Sequence, residues 1–202
     1  RTPLYSACSN DNKDIIEILL KNGADPNYTA YALAYPLEHL CDQGPGETTD
    51  ALELLLKYGA DPNLYRYTPP MFRLAEKLEN MSERFYLLAC NEIFCLIDNG
   101  ADLINAAPTY EGYTILHFAA QQKNTEFLSD LLKRTDVRKI INEKTKQSGY
   151  TALICAVRGN QTEGSKILLA VGAEKSIKDN FNKTALDYAK ENSNQELIEL
   201  LE

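Results

Sequence analysis

Apolar residues along this chain come in short bursts of helical period, separated by polar turns at regular intervals. Ile15, Ile16, Leu19 and Leu20 fall three and four apart, which predicts an amphipathic helix from Asp14 to Lys21. A first, shorter helix is expected just before it, through Leu4-Tyr5-Ser6-Ala7-Cys8, where small residues allow close packing on a neighbour. Thr2 suits its N-cap and Pro3 its first helical position, where no amide partner is needed. Between the two helices Asn10-Asp11-Asn12 tolerates left-handed backbone. Gly23 then ends the second helix at the position where a residue without Cβ costs least.

This order recurs. Thr2-Pro3-Leu4, Tyr35-Pro36-Leu37, Thr68-Pro69-Pro70, Thr114-Ile115-Leu116-His117, Thr151-Ala152-Leu153 and Thr184-Ala185-Leu186 each open a helix pair. Leu19-Leu20-Lys21-Asn22-Gly23-Ala24-Asp25-Pro26-Asn27 closes the first pair, and Leu55 to Asn63, Leu96 to Asp102 and Leu168 to Ala173 repeat that ending. The openings stand at 2, 35, 68, 114, 151 and 184, so three of the five spacings are 33 residues. Motif and period together resemble the ankyrin-repeat family over essentially the whole chain. The resemblance implies an all-α repeat solenoid, a stack of helix-turn-helix units with β-turn fingers between them. It places repeats at approximately 1–30, 31–63, 64–105, 106–142, 143–179 and 180–202 in one domain. No single repeat buries its own apolar face, so stacking must supply the stability.

The departures carry information too. Tyr35 stands where Thr would cap, so that helix start loses a hydrogen bond. Residues 43–49 insert a loop between the second pair's helices, and residues 76–86 lengthen the third, with a turn near Asn80-Met81-Ser82. Thr135 takes the Gly position of the fourth repeat, so its finger should be irregular. The sixth repeat has a polar outer face, including Lys190, Glu191 and Glu196, suited to a terminal cap. Leu4, Tyr5, Ile15 and Ile16 look instead like a face awaiting an upstream neighbour. With no initiator Met, we read the chain as part of a longer protein.

Charge narrows the partners. The formal net charge is −8, the opposite of the basic surface that displaces counterions from phosphate. Nucleic acid and anionic membrane are disfavoured, and a basic protein segment is favoured. Five cysteines lie without CxxC spacing, as buried thiols of a reducing cytoplasm or nucleus would, although secretion of the chain into a host cell stays open. We expect no metal, no cofactor and a monomer. The resemblance makes His117 a structural hydrogen-bonder bracing the adjacent finger. Without a defensible nucleophile–base set, the chain is not expected to be an enzyme.

Tyrosine placement points to the candidate site. Of twelve tyrosines, eight fall in the fingers. Members of this family bind partners with finger tips and the concave helix surface, and Tyr offers contact area at the cost of two χ angles. Tyr31, Tyr65 and Tyr110 are the expected tip contacts. Tyr67, Tyr113 and Tyr150 directly precede the helix openings and either join the contact surface or pack on their own repeat. Phe72 and Phe118 would floor the groove, with His39 beside them and Asp42, Glu76 and Glu111 supplying acidity for a Lys or Arg. The expected function is a protein-interaction module, an adaptor or recruitment scaffold. The alternative is the substrate-selecting or regulatory arm of a larger enzyme or effector.

Overall fold

The structure, a computed structural model, describes residues 2–29, 33–46, 49–104 and 112–202. The chain divides into two compact units, Arg1–Asp102 and Leu103–Glu202. Each consists of helix pairs, and the described residues contain no β-strand.

Unit 1 holds α1 (Pro3–Cys8), α2 (Lys13–Lys21), α3 (Pro36–Gln43), α4 (Asp50–Lys57), α5 (Pro70–Ala75) and α6 (Glu83–Asp98). The first helices α1, α3 and α5 pack in a row, and α2, α4 and α6 form a second row behind them. Between the rows Leu37, Leu52, Leu55, Phe72, Leu74 and Ile93 are almost wholly buried. Truncating any such Leu to Ala would cost about 2–5 kcal/mol. Thr2 Oγ1 accepts the Tyr5 N–H at 3.1 Å and Asn12 Oδ1 accepts that of Ile15 at 3.1 Å, caps that contribute about 1 kcal/mol each.

The Leu-Leu-x-x-Gly-Ala ending is a helix stop. At α4 the Gly59 N–H donates to Leu56 O and the Ala60 N–H to Leu55 O, both at 2.9 Å. That crossed pair satisfies two orphan carbonyls, and it requires the left-handed φ of +89° that Gly59 adopts. Gly23-Ala24 and Gly100-Ala101 close α2 and α6 with the same two bonds. Beyond each stop, asparagine joins the repeats. Asn27 donates to Gly59 O at 2.7 Å and accepts the Asp61 N–H at 2.8 Å, acting as a peptide group on a side chain. Asn63 repeats this on Gly100 O and the Asp102 N–H, at 2.9 and 2.7 Å.

Unit 2 holds α7 (Ile115–Gln121), α8 (Glu126–Leu131), α9 (Thr135–Arg138), α10 (Ala152–Arg158), α11 (Thr162–Ala170), α12 (Ala185–Glu191) and α13 (Gln195–Leu201). Here α7, α10 and α12 form the first row, with α11 and α13 packed behind α10 and α12. Where Thr135 replaces the stop glycine the chain makes the one-turn helix α9, anchored by fully buried Val137. Asn142 accepts the Glu174 N–H at 3.0 Å and donates to Glu174 Oε1 at 3.1 Å, a related link in which a carboxylate replaces the glycine carbonyl.

Two sequence expectations need correction, and a third holds with a compensation. Ile16 is buried, but Ile15 is 47% exposed and lies off the packed stripe of α2. The third pair lengthens only its second helix: α6 has sixteen residues, while α5 has six and leads into a 3-10 turn at Leu78–Asn80. Tyr35 indeed makes no side-chain cap bond, yet its N–H is held by Glu38 Oε2 at 3.3 Å, so the helix start is not left open.

Replacing Asn63 by Ala removes a donor and an acceptor from a partly exposed link, and urea unfolding should show a loss of about 1–2 kcal/mol. Asn63→Asp, which keeps only the acceptor, should fall between the two. Two buried titratable groups set opposite pH trends. Burial depresses His117 from 6.5 to about 4, against a smaller opposing effect of its bond to Tyr150. Its neutral form is favoured on folding, so its contribution is complete above pH 6.5 and lost as pH falls toward 4. Burial, reinforced by Asp11, raises Glu92 from 4.5 to about 8, so its contribution is complete below pH 4.5 and lost as pH rises toward 8. Thermal unfolding should therefore show Glu92→Gln gaining on the parent as pH rises from 4.5 to about 8, with no further gain beyond. The deficit of His117→Gln should narrow in acid; pH-independent differences would contradict both assignments.

Candidate functional site

Glu38 is the third residue after Tyr35, in the first turn of α3 and 1% exposed. Its carboxylate accepts the N–H groups of Tyr35, Arg66, Tyr67 and Thr68 at 3.3, 2.9, 2.8 and 3.3 Å. Bonds from amides to a carboxylate are worth more than neutral ones, and three of these four come from the finger that precedes α5. That finger is thereby fixed onto α3.

In unit 2 His117 holds the corresponding place, third after Thr114, and does the same work with different chemistry. Its Nδ1 accepts the Thr114 N–H at 3.0 Å, and Nε2 donates to the Tyr150 carbonyl at 2.8 Å. Because a carbonyl can only accept, the proton sits on Nε2.

On unit 1 the finger held by Glu38 borders a cleft of about 230 Å3. His39 and Asp42 of α3, Tyr5 of α1 and Arg73 of α5 line it, with Tyr67 on the finger side. His39 is held in place: its ring stacks on Tyr5 at 4.1 Å, and its two nitrogens meet Tyr5 Oη at 3.1 Å and Ser9 Oγ at 2.7 Å. Asp42 pairs with Arg73 Nε at 3.2 Å and lies 3.9 Å from Lys77 Nζ, which also donates to the Asp42 carbonyl. Glu76 closes the network, 3.4 Å from Arg73 Nη1, and burial pushes its carboxyl above the usual range although Arg73 pulls the other way. Tyr67 is 57% exposed.

The two inserts meet beside this cleft. Gln43, Gly44 and Pro45 from the first, with Lys77, Met81 and Phe85 from the second, line an open cavity of about 450 Å3. It shares Lys77 and Glu76 with the charged network that borders the cleft.

The structure thus brings together Tyr67, His39, Asp42 and Glu76 of the residues expected from sequence. Tyr65 is partly buried nearby in the chain. Phe72 is 0% exposed and Phe118 8%, so neither offers a floor to a partner; both rings are spent on the packing between helix rows. Tyr113 packs on its own repeat, with its ring 5.3 Å from His117 and 5.5 Å from Phe118. Tyr150 is 9% exposed and lies beneath Arg158. Tyr31, Tyr110 and Glu111 lie outside the described residues. Sequence reasoning missed Glu38, Tyr5 and Arg73. A Glu three places after a helix opening is a capping-box signal that could have found the first.

Burial pushes the Cys8 and Cys155 thiols to about 12 and Cys41 well above its usual value, so none is a thiolate near neutrality. No cluster of three or more His, Cys, Asp or Glu suited to a metal occurs among the described residues, and no described helix is long and apolar enough to cross a membrane.

Among solved structures, the whole chain aligns with the ankyrin repeat domain of Bcl-3, described as a unique member of the IkappaB protein family, at 23% identity, a TM-score of 0.78 and 85% of that chain. It aligns fully with the human ASB11 ankyrin repeat domain at 22% identity, a TM-score of 0.68 and 82% of that chain. It also aligns fully with a chain in the structure of the Bd0816 predatory endopeptidase from Bdellovibrio bacteriovorus in complex with immunity protein Bd3460, at 25% identity, a TM-score of 0.72 and 97% of that chain. The family model described as ankyrin repeats in three copies matches residues 1–66, 82–179 and 136–202. Helix pairs, crossed helix stops and asparagine links thus find their explanation in common descent: the chain belongs to the ankyrin-repeat family, whose domains are generally protein–protein interaction modules.

Proposed function

We propose that this chain is an adaptor-like binding module whose unit 1 takes an extended partner segment carrying Lys or Arg, in the cleft between Tyr67 and α3. The carrying observation is Tyr67 itself. A large amphipathic side chain stands 57% exposed on a finger that Glu38 fixes in place, at the edge of a preformed cleft. A side chain presented this way loses little freedom on binding, which is where much of the cost of association otherwise lies.

A cation is favoured by the net charge of −8 and by Asp42, whose carboxylate already attracts Arg73 and Lys77 and remains half exposed. A partner's Lys or Arg would exchange with Lys77 at Asp42 while lying against the Tyr67 ring. The insert cavity beside the cleft, with Met81 and Phe85 in its wall, suits an apolar residue of the same segment. The similar Bdellovibrio structure is itself of two proteins in complex, which supports a macromolecular partner over a small molecule.

The test is capture from lysate with the parent, Tyr67→Ser and Asp42→Asn, each shown to melt like the parent. Both substitutions should weaken the captured partner by about tenfold or more, the size expected of an interface anchor. A short Lys-containing peptide mapped from that partner should compete, and its Lys→Gln twin should not. Equal capture by all three proteins would remove the site from this cleft.

A further inference from the structure

Unit 2 carries a second surface of different chemistry. Tyr150, Phe181 and Tyr188 form an aromatic cluster: the Tyr150 and Tyr188 rings meet edge-on at 6.0 Å, and Phe181 lies 6.3 Å from Tyr150. The turn that carries Phe181 is organised by one carboxylate. Asp179 accepts the N–H groups of Phe181 and Lys183 at 2.8 and 2.9 Å and the Tyr188 hydroxyl at 2.6 Å. The result is a phenyl ring held 61% exposed on a hydrogen-bonded turn, against the usual tendency of such a ring to be covered.

Arg158, the last residue of α10, lies across this cluster. Its guanidinium is 4.3 Å from the Tyr150 ring centre and 5.4 Å from that of Tyr188. Among the described residues it has no ion pair, in a chain with 29 acidic and 21 basic residues. The neighbouring cation is unlike it: Lys183 is held by Glu191 at 2.5 Å. Stacking occupies the face of a guanidinium and leaves its edge, with paired N–H donors in a fixed fork, turned to whatever approaches. That fork matches a carboxylate in bidentate fashion. Because Tyr150 restrains the side chain beforehand, less rotamer entropy remains to be lost on binding.

We propose that Arg158 and Phe181 form a docking surface for a protein segment that places an Asp or Glu carboxylate a few residues from an apolar side chain. The carboxylate meets the Arg158 fork and the apolar side chain covers Phe181. One guanidinium over aromatic rings on an acidic protein does not make the basic surface a polyanion needs, so the occupant is a peptide and not nucleic acid. This proposal rests on the reading of the chain as a protein-binding module but uses none of the unit 1 cleft.

The test uses the whole chain and a set of short fluorescein-labelled peptides in a Gly/Ser background. Each carries one Glu at varied distance from a Leu or Phe, and each has Gln and Lys twins. Anisotropy titration should find Glu peptides that bind about tenfold tighter than their Gln twins, an advantage that shrinks at high salt. Arg158→Gln should erase that preference, Arg158→Lys should keep part of it, and Phe181→Ser should weaken Glu and Gln twins alike. Tyr67→Ser should change nothing. Equal binding of Glu and Gln twins, preference for Lys, absence of saturable binding, or a preference that survives Arg158→Gln would each overturn the proposal. If binding falls with Tyr67→Ser instead, the site is the unit 1 cleft; that overturns this proposal and leaves the proposed function standing.

Discussion

A repeat of two short helices cannot choose, by apolar packing alone, where the chain leading to the next repeat will lie. In this protein the choice is made by one side chain in the first turn of a helix, reaching across to the backbone of the next finger. Glu38 does so as an acceptor, taking N–H groups from Arg66, Tyr67 and Thr68. His117 does so as a donor, giving Nε2–H to Tyr150 O. Both are buried, and a buried polar group tolerates only a geometry that satisfies it. The asparagines at 27, 63 and 142 add links at the far ends of three pairs. Packing supplies most of the stability, while these polar bridges fix the register.

The proposed function rests on what that register leaves uncovered. The finger that Glu38 holds carries Tyr67 into solvent beside His39 and Asp42, whereas the rings expected to floor a groove, Phe72 and Phe118, are consumed by the helix rows. Tyr150 meets a different fate: its carbonyl anchors His117 and its ring underlies Arg158, so one finger residue joins a structural bridge to a displayed cation. The surfaces proposed on each unit thus lie beside the bridges that organise it.

The fold was legible in the sequence because its signals are local. Leu-Leu-x-x-Gly-Ala encodes a crossed helix stop through glycine's access to positive φ, and Thr-Pro-Leu encodes a helix start. Both depend on a few neighbouring residues and recur at a fixed period. The site was only partly legible, because exposure is decided by partners distant in sequence. Tyr67 and Tyr113 stand at the same motif position, yet the first faces solvent and the second packs on His117 and Phe118. Glu38 stands where the fourth repeat has His117, and a carboxylate that accepts amides satisfies the same constraint with opposite polarity. Arg158 carries no sequence signal of its own; the two rings beneath it set it apart.

Residue-resolved amide exchange reads directly whether the Glu38 carboxylate holds the finger that presents Tyr67. In the parent, the amides of Arg66, Tyr67 and Thr68 should be protected together. In Glu38→Ala they should exchange faster by about tenfold or more, the factor expected when charge-assisted bonds are lost. The Gly59 and Ala60 amides, held by the α4 helix stop, should keep their protection. If the three finger amides exchange alike in both proteins, Glu38 does not hold the finger, and the account of how the binding surface is presented fails with it.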